Sequence, residues 1–275
     1  MIPPRRAAIW VLFLGANLAL NLIAQDPAPS KLQSNPAPVP STVVQLLAVG
    51  PGSHGKNQDC AATGFIINEE GYILTNFHVI EKSEECLADT PGAKIVAKFA
   101  ASVLAAQPAS GKHDASRSAE MTAPGVELEE FGRDEIHDLA ILRPERPLST
   151  SGASRVIPFV LLDAAQVSIP MGAAVKVTGH PASTWDALTL SGKIIGHKSV
   201  PLYPRSDELT DMIVLDIPLK HGSSGSPVYL EAGSAVVGVV EQQNTPDKSQ
   251  SLAVPIQHAI EFLNQRGVKW HAAAD

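Results

Sequence analysis

Apolar residues recur along the chain in short runs, about four to eight residues long, separated by Gly, Pro, Asn and Asp. The runs at 43–49, 64–68, 72–75, 94–99, 139–142, 174–178, 188–195, 212–215, 227–230 and 236–240 are rich in Val, Ile and Leu. Each predicts a β-strand. Asn68-Glu69-Glu70-Gly71 joins two of them as a four-residue hairpin loop, in which Gly71 supplies a positive φ. No helical periodicity alternates with the strands, so the pattern specifies an all-β barrel or sandwich rather than an α/β sheet. One helix is predicted near the C-terminus. Ile256, Ala259, Ile260 and Leu263 stand at i, i+3, i+4 and i+7, Pro255 suits the first turn, and Gly267 ends it. Residues 100–133 are rich in Ala, Ser, Gly and charge without clear periodicity, and read as a long loop: an insertion on the surface, with gating of a cleft as the alternative.

The N-terminus departs from this pattern. Residues 1–6 carry two arginines, and 7–24 form an apolar run broken only by Gly15, Asn17 and Asn21. A basic front before an apolar stretch is the layout of a secretory signal. Ala24 supplies only the last small residue of an Ala-x-Ala-like cleavage site, and the run is nearly long enough to span a bilayer. Residues 1–24 are therefore a signal peptide or a retained N-terminal membrane anchor. Pro27, Pro29, Pro36, Pro38 and Pro40 lie among Ser, Ala and Asn, which makes 25–42 an extended, solvated linker. The folded domain is expected over 43–270, in an exported chain that is periplasmic or secreted.

Composition then removes several functions. The 275 residues are 44% hydrophobic, enough for one barrel domain with a sizeable core. A net charge of −7 without a dense Lys/Arg cluster lacks the footprint of a nucleic-acid binder. Two cysteines, Cys60 and Cys86, flank His78, and in an exported protein they are a disulfide candidate, with two buried thiols as the alternative. Closing that loop stabilises by roughly 3 kcal/mol in the chain-entropy model. The histidines show no pairing at metal-ligand spacing, so neither a metal nor a cofactor is expected.

Chemistry is concentrated in three segments. Gly-Ser-Ser-Gly-Ser-Pro at 222–227 presents Ser224 in a tight loop, Thr-Asn-Phe-His-Val-Ile at 75–80 presents His78, and His-Asp-Leu-Ala-Ile-Leu at 137–142 presents Asp138. A serine hydroxyl attacks at neutral pH only when a base takes its proton, the role suited to His78. A carboxylate on the other ring nitrogen fixes the tautomer and stabilises the imidazolium, the role given to Asp138, with Asp134 and Glu135 as nearby competitors. The glycines beside Ser224 let backbone N–H groups turn toward an oxyanion, with Gly222 and Ser224 as the donors.

These segments resemble the trypsin-like serine peptidases of the HtrA/Deg-like branch, over residues 43–265. The 64–67 and 71–76 segments resemble the strand pair before that family's histidine. Gly179-His180-Pro181 is similar to its Gly-Asn-Pro turn, and Ala253-Val254-Pro255 to the lead-in of its final helix. Ser223 stands where the family has Asn, Ser226 stands where it has a second Gly, the loop before Asp138 is longer, and no PDZ domain is expected after Gln265. The resemblance implies two six-stranded antiparallel β-barrels with His78, Asp138 and Ser224 at their junction, acting on polypeptide substrates that include unfolded proteins. It also puts the primary substrate pocket at Pro218 and Leu219, which implies a small or medium apolar residue before the scissile bond. The competing reading is a catalytically silent trypsin-like scaffold that binds a partner.

Overall fold

The computed structural model describes residues 37–49, 61–88, 94–99, 125–148, 157–165, 169–184, 186–202, 208–241 and 248–273. Among them, six strands form the first closed antiparallel barrel: β1 (Val43–Val49), β2 (Ala61–Ile66), β3 (Ile73–Thr75), β4 (Lys94–Phe99), β5 (Val126–Asp134) and β6 (Leu139–Pro144). Their order is β1-β2-β3-β6-β5-β4, and β4 closes on β1. The second barrel is built from β7 (Ala174–Gly179), β8 (Leu188–Val200), β9 (Thr210–Leu215), β10 (Pro227–Leu230), β11 (Val236–Val240) and β12 (Ser251–Pro255), in the order β10-β11-β12-β9-β8-β7. The expected all-β, double-barrel fold is thus the observed one.

The strand sequences explain how the barrels meet. A strand with one wet face alternates apolar and polar residues, whereas Leu139-Ala140-Ile141-Leu142 and Val236-Val237 are apolar at successive positions, as strands buried on both faces are. Ala140 and Leu142 pack inside the first barrel with Val44, Leu46, Ile66 and Ile73. Leu139 and Ile141 instead join Phe65 and Leu74 in a separate apolar layer with Met212, Val236, Val239 and Val254 of the second barrel. Val237, Val240 and Ala253 face the interior of that barrel. One face of each of these strands therefore fills its own barrel and the other welds the two together.

The chain's last helix, α2 (Ile256–Gln265), covers the same shared layer through Ile256, Ala259, Phe262 and Leu263. Phe262 rather than Ile260 completes the buried stripe, and Ile260 is only partly buried. Gly267 stops the helix as expected: at φ +67 it donates to Asn264 O at 3.1 Å while Val268 donates to Leu263 O at 3.0 Å, the paired bonds of a Schellman end. The 68–71 hairpin also forms as read, with Gly71 at φ +81 and the Asn68 side chain accepting from the amides of Glu70 and Tyr72.

Four elements differ from the sequence reading. Strand β5 occupies the end of the stretch read as a 100–133 loop; its outward residues are charged, and Lys94–Glu127 at 2.6 Å and Arg143–Glu129 at 2.5 Å tie it to its neighbours where apolar residues would normally mark a strand. Strand β12 forms over Ser251–Pro255, outside the predicted strand runs. Helix α1 (Phe77–Ala88) follows β3 directly and buries Phe77, Val79, Ile80 and Ser83. Val39, placed in the linker, is 2% exposed within the shared layer, so ordered packing starts ahead of residue 43. Residues 1–36, including the apolar run 7–24, lie outside the described residues, as do Cys60 and the side chain of Cys86. Among the described residues, no helix is long and apolar enough to cross a membrane.

Phe65 is fully buried in the layer between the barrels. Phe65→Ala is expected to lower the stability of the fold by about 3 to 5 kcal/mol, read from the urea unfolding midpoint.

Candidate active site

The site is assembled from turns that meet at the seam. Asp138 sits in the turn between β5 and β6 at φ +52, a left-handed conformation that Asp tolerates better than most residues. Its backbone carbonyl holds that turn against α1, accepting from Asn76 Nδ2 at 3.0 Å and from Phe77 N–H at 3.2 Å. Its carboxylate covers the N-terminal end of α1, where helix amides lack internal partners: Oδ1 accepts the His78 N–H at 2.8 Å. The other oxygen, Oδ2, lies 2.7 Å from His78 Nδ1. Helix α1 thus does what the sequence did not reveal, fixing the imidazole and the carboxylate in one frame.

The neighbouring carboxylates are engaged elsewhere. Asp134 Oδ2 pairs with His137 Nδ1 at 2.8 Å, and its other oxygen accepts from the amides of Ile136 and His137. Glu135 is exposed. His137 in turn stacks on His258 of α2, with ring centroids 4.0 Å apart, and Arg266, which caps α2, donates to the Arg133 carbonyl at 3.2 Å. The turn that carries Asp138 is therefore backed by the C-terminal helix.

Ser224 enters from the second barrel in the 222–227 loop, 7% exposed. Gly222 at φ +91 turns its carbonyl onto Thr63 Oγ1, which donates to it at 2.8 Å. Thr63 N–H donates to the Ser224 carbonyl at 3.0 Å, and Thr63 Oγ1 accepts the His180 N–H at 3.0 Å. The peptide planes that carry the Gly222 and Ser224 N–H groups are set by the carbonyls opposite them, His221 O accepting from Ala182 N–H at 2.6 Å and Ser223 O from Ser226 N–H at 3.1 Å, and no acceptor among the described residues takes either N–H. Gly225, at φ +81, donates to Val240 O at 2.9 Å, and a side chain on it would run into the Thr63 carbonyl and Thr75 Oγ1. The two serines that depart from the family pattern are accommodated without opening the loop. Ser226 N–H donates to Ser223 O at 3.1 Å, and the Ser226 hydroxyl fits against Gly179, where a Cβ would collide with it.

A cavity beside Ser224 is lined by His78, Val79, Lys82, His221, Gly222 and the start of β2. The structure therefore brings His78, Asp138, Ser224 and Gly222 to one place. Pro218 and Leu219 do not line that cavity; Pro218 is exposed and Leu219 packs in the interior of the second barrel. One further residue belongs to the site without any motif to mark it. Glu241, one position past β11 and 8% exposed, has a carboxylate oxygen that lies, with one of Asp138 and a ring nitrogen of His78, in a set of atoms all within 4.8 Å of one another. This is a hydrogen-bonded dyad with a neighbouring carboxyl rather than a cation cage, because His78 Nδ1 is engaged with Asp138.

Comparison with known proteins gives the family and the fold. The family model described as a trypsin-like peptidase domain matches residues 62–239, more than half of the 275 residues, and the chain belongs to that family. Probable periplasmic serine endoproteases, DegP-like, from Pseudomonas savastanoi pv. phaseolicola and Pseudomonas fluorescens are 25% and 26% identical over 78% of the chain, which spans 36% of their length. Among solved structures, the active form of the Rv3671c protease from M. tuberculosis superposes with a TM-score of 0.57 at 17% identity, covering 86% of this chain and 85% of that one. Deg5 gives 0.57 at 19% identity, covering 84% and 93%. The expected HtrA/Deg-like resemblance is borne out by these relatives.

Two outcomes follow from the site's polar contacts. Thr63→Val keeps shape but strands the Gly222 carbonyl and the His180 amide in the seam, and is expected to destabilise by about 2 to 4 kcal/mol in chemical denaturation. The second concerns histidine. Burial holds the His180 and His258 imidazoles below their ordinary value of 6.5, and for His258 the stacked His137 adds to the effect. Above about pH 6.5 both are neutral folded or unfolded and contribute no pH dependence; below it the unfolded chain takes up protons that the fold disfavours, so stability falls with falling pH. The melting temperature is expected to drop between about pH 7 and about pH 5, with a shallower slope in a His180→Gln, His258→Gln variant.

Proposed function

We propose that the protein is an exported serine endopeptidase that hydrolyses peptide bonds through an acyl-enzyme. The observation that carries this reading is the 2.7 Å contact of His78 Nδ1 with Asp138 Oδ2, set in a cavity wall that also contains Ser224. With Nδ1–H donating to Asp138, the free Nε2 is the base. Ser224 Oγ attacks the scissile carbonyl carbon as His78 Nε2 takes its proton, and the imidazolium is stabilised by Asp138. The carbonyl oxygen becomes an anion received by the Gly222 and Ser224 N–H groups, whose peptide planes are set by His221 O and Ser223 O accepting from the Ala182 and Ser226 amides. The C–N bond then breaks, His78 returns its proton to the leaving amine, and an ester to Ser224 remains. Water, deprotonated by the same imidazole, attacks the ester, and collapse restores the Ser224 hydroxyl and releases the acid.

Polypeptides are the substrate class, in keeping with the DegP-like relatives, whose names call them endoproteases and place them in the periplasm; unfolded proteins are proposed among those polypeptides. Pro218 and Leu219 are proposed as the apolar wall of the pocket for the residue before the scissile bond. Export rests on residues 1–24, acting as a cleaved signal or as an anchor.

Ser224→Ala is expected to abolish both casein cleavage and labelling by a fluorophosphonate probe with the fold unchanged. Asp138→Asn is expected to lower kcat by about ten-thousandfold. A wild-type protein that neither labels nor cleaves at any pH, yet retains a partner, identifies the silent binding scaffold instead. A peptide-library profile dominated by cleavage after Arg or Lys overturns the apolar pocket.

A further inference from the structure

The cavity beside Ser224 has walls whose chemistry the hydrolytic steps do not use. Residues four apart on a helix are neighbours on one face. Helix α1 therefore presents His78 and Lys82 as one pair and Val79 and Ser83 as the next, and all four line the cavity. Ala61 and Ala62 of β2 add two small apolar side chains, and His221 and Gly222 contribute from the second barrel. The Ser83 hydroxyl donates to the Val79 carbonyl at 2.7 Å, and His221 O accepts from the Ala182 amide. Lys82, by contrast, is half-buried and forms no hydrogen bond or ion pair among the described residues. The carboxylates beside it in sequence, Glu81, Glu84 and Glu85, do not line the cavity, and Glu84 pairs with Arg133 at 3.4 Å. Among the described residues, no acidic side chain lines it.

Pro218 and Leu219, assigned above to the residue before the scissile bond, belong to the second barrel and stand outside this cavity. A peptide whose acyl side rests there, with its carbonyl carbon at Ser224 Oγ, brings its leaving nitrogen to His78 Nε2 and continues over α1. Resting on the serine-hydrolase reading above, we propose that the cavity receives the side chain of the residue after the scissile bond, and that Lys82 is a specificity-determining residue that selects Asp or Glu there. A half-buried lysine without a carboxylate partner leaves a positive charge unbalanced at the cavity, and a substrate carboxylate balances it. Ala61 and Ala62 leave room for that side chain. Lys or Arg at the same substrate position meets a like charge and is disfavoured. Because the pair remains partly open to solvent, the selection is a few-fold in rate rather than orders of magnitude, and it weakens as salt is added.

The test is a synthetic library of N-acetylated, C-amidated peptides, which carry no terminal carboxylate, digested by the wild-type protein and read by mass spectrometry. The residue after each cut is counted against its abundance in the library. Asp and Glu together are expected to exceed Lys and Arg there by about fivefold at low salt, and by less than about twofold in about 1 M NaCl. Lys82→Gln is expected to bring that ratio to within about twofold of unity, and Lys82→Glu to favour Lys and Arg. Each ratio is internal to one protein, so a change in overall rate does not enter it, and a melting curve confirms the fold of each variant. A wild-type ratio below about twofold at low salt overturns the proposal. So does the wild-type ratio persisting in Lys82→Gln or Lys82→Glu; if Lys82→Glu does not fold, Lys82→Gln decides alone. Wild-type protein that cuts no peptide of the library removes the endopeptidase reading and this inference with it, whereas cutting without an acidic preference removes only this inference.

Discussion

Thr63 is the point on which the site depends. It lies on β2 of the first barrel, yet its hydroxyl and amide bind the carbonyls of Gly222 and Ser224 in the second, and the same hydroxyl receives the amide of His180 from the turn after β7. Loops between strands ordinarily find their hydrogen bonds in solvent or within themselves. Here the loop that carries Ser224 also finds two of them in the other barrel, at Thr63. Its conformation is thus a property of the interface as well as of its own turns, where His221 O and Ser223 O, the carbonyls in the peptide planes of the 222 and 224 amides, accept from Ala182 and Ser226.

That dependence is tolerable only if the barrels cannot shift relative to one another. The apolar layer between them supplies this rigidity, because strands such as β6 and β11 have no wet face and contribute alternate residues to two cores. Close-packed interiors transmit displacement rather than absorb it. A change deep in the shared layer, at Phe65 or Leu139, thereby acts on the distance between Ser224 and the His78–Asp138 pair as well as on stability. Several polar side chains are buried with them, among them Thr63, Asn76, His180, Ser223 and Ser226, and the hydroxyls of Ser223 and Ser226 have no hydrogen-bond partner among the described residues, so the packing also bears the cost of burying them.

Much of this was legible in the sequence for identifiable reasons. Apolar runs such as those at 139–142 and 236–240 mark strands whose two faces are both buried, so they read clearly; β5 does not, since its outer face is held by ion pairs instead of packing. The terminal helix was readable from its periodicity and its glycine stop. Helix α1 was not, because only Val79 and Ile80, with Phe77 before them, stand out among charged residues, and its support comes from the barrel beneath. His78, Asp138 and Ser224 stand in recognisable local motifs. Thr63 and Glu241 have none: a threonine in a strand and a glutamate after one are common, and only the closure of two barrels gives them partners. Side chains that define a site through long-range contacts carry no local signature.

The stacking of His258 on His137, together with the bond from Arg266 to the Arg133 carbonyl, has a bearing on how the chain is made. Synthesis runs from the N-terminus, so the first barrel with its histidine and aspartate is complete long before residue 258 exists. Until then the aspartate turn lacks its backing, and the 222–227 loop lacks its finished barrel. On the proposed hydrolase reading, the site is consequently completed only once α2 has been made, and a chain truncated ahead of α2 lacks the contacts that back its aspartate turn.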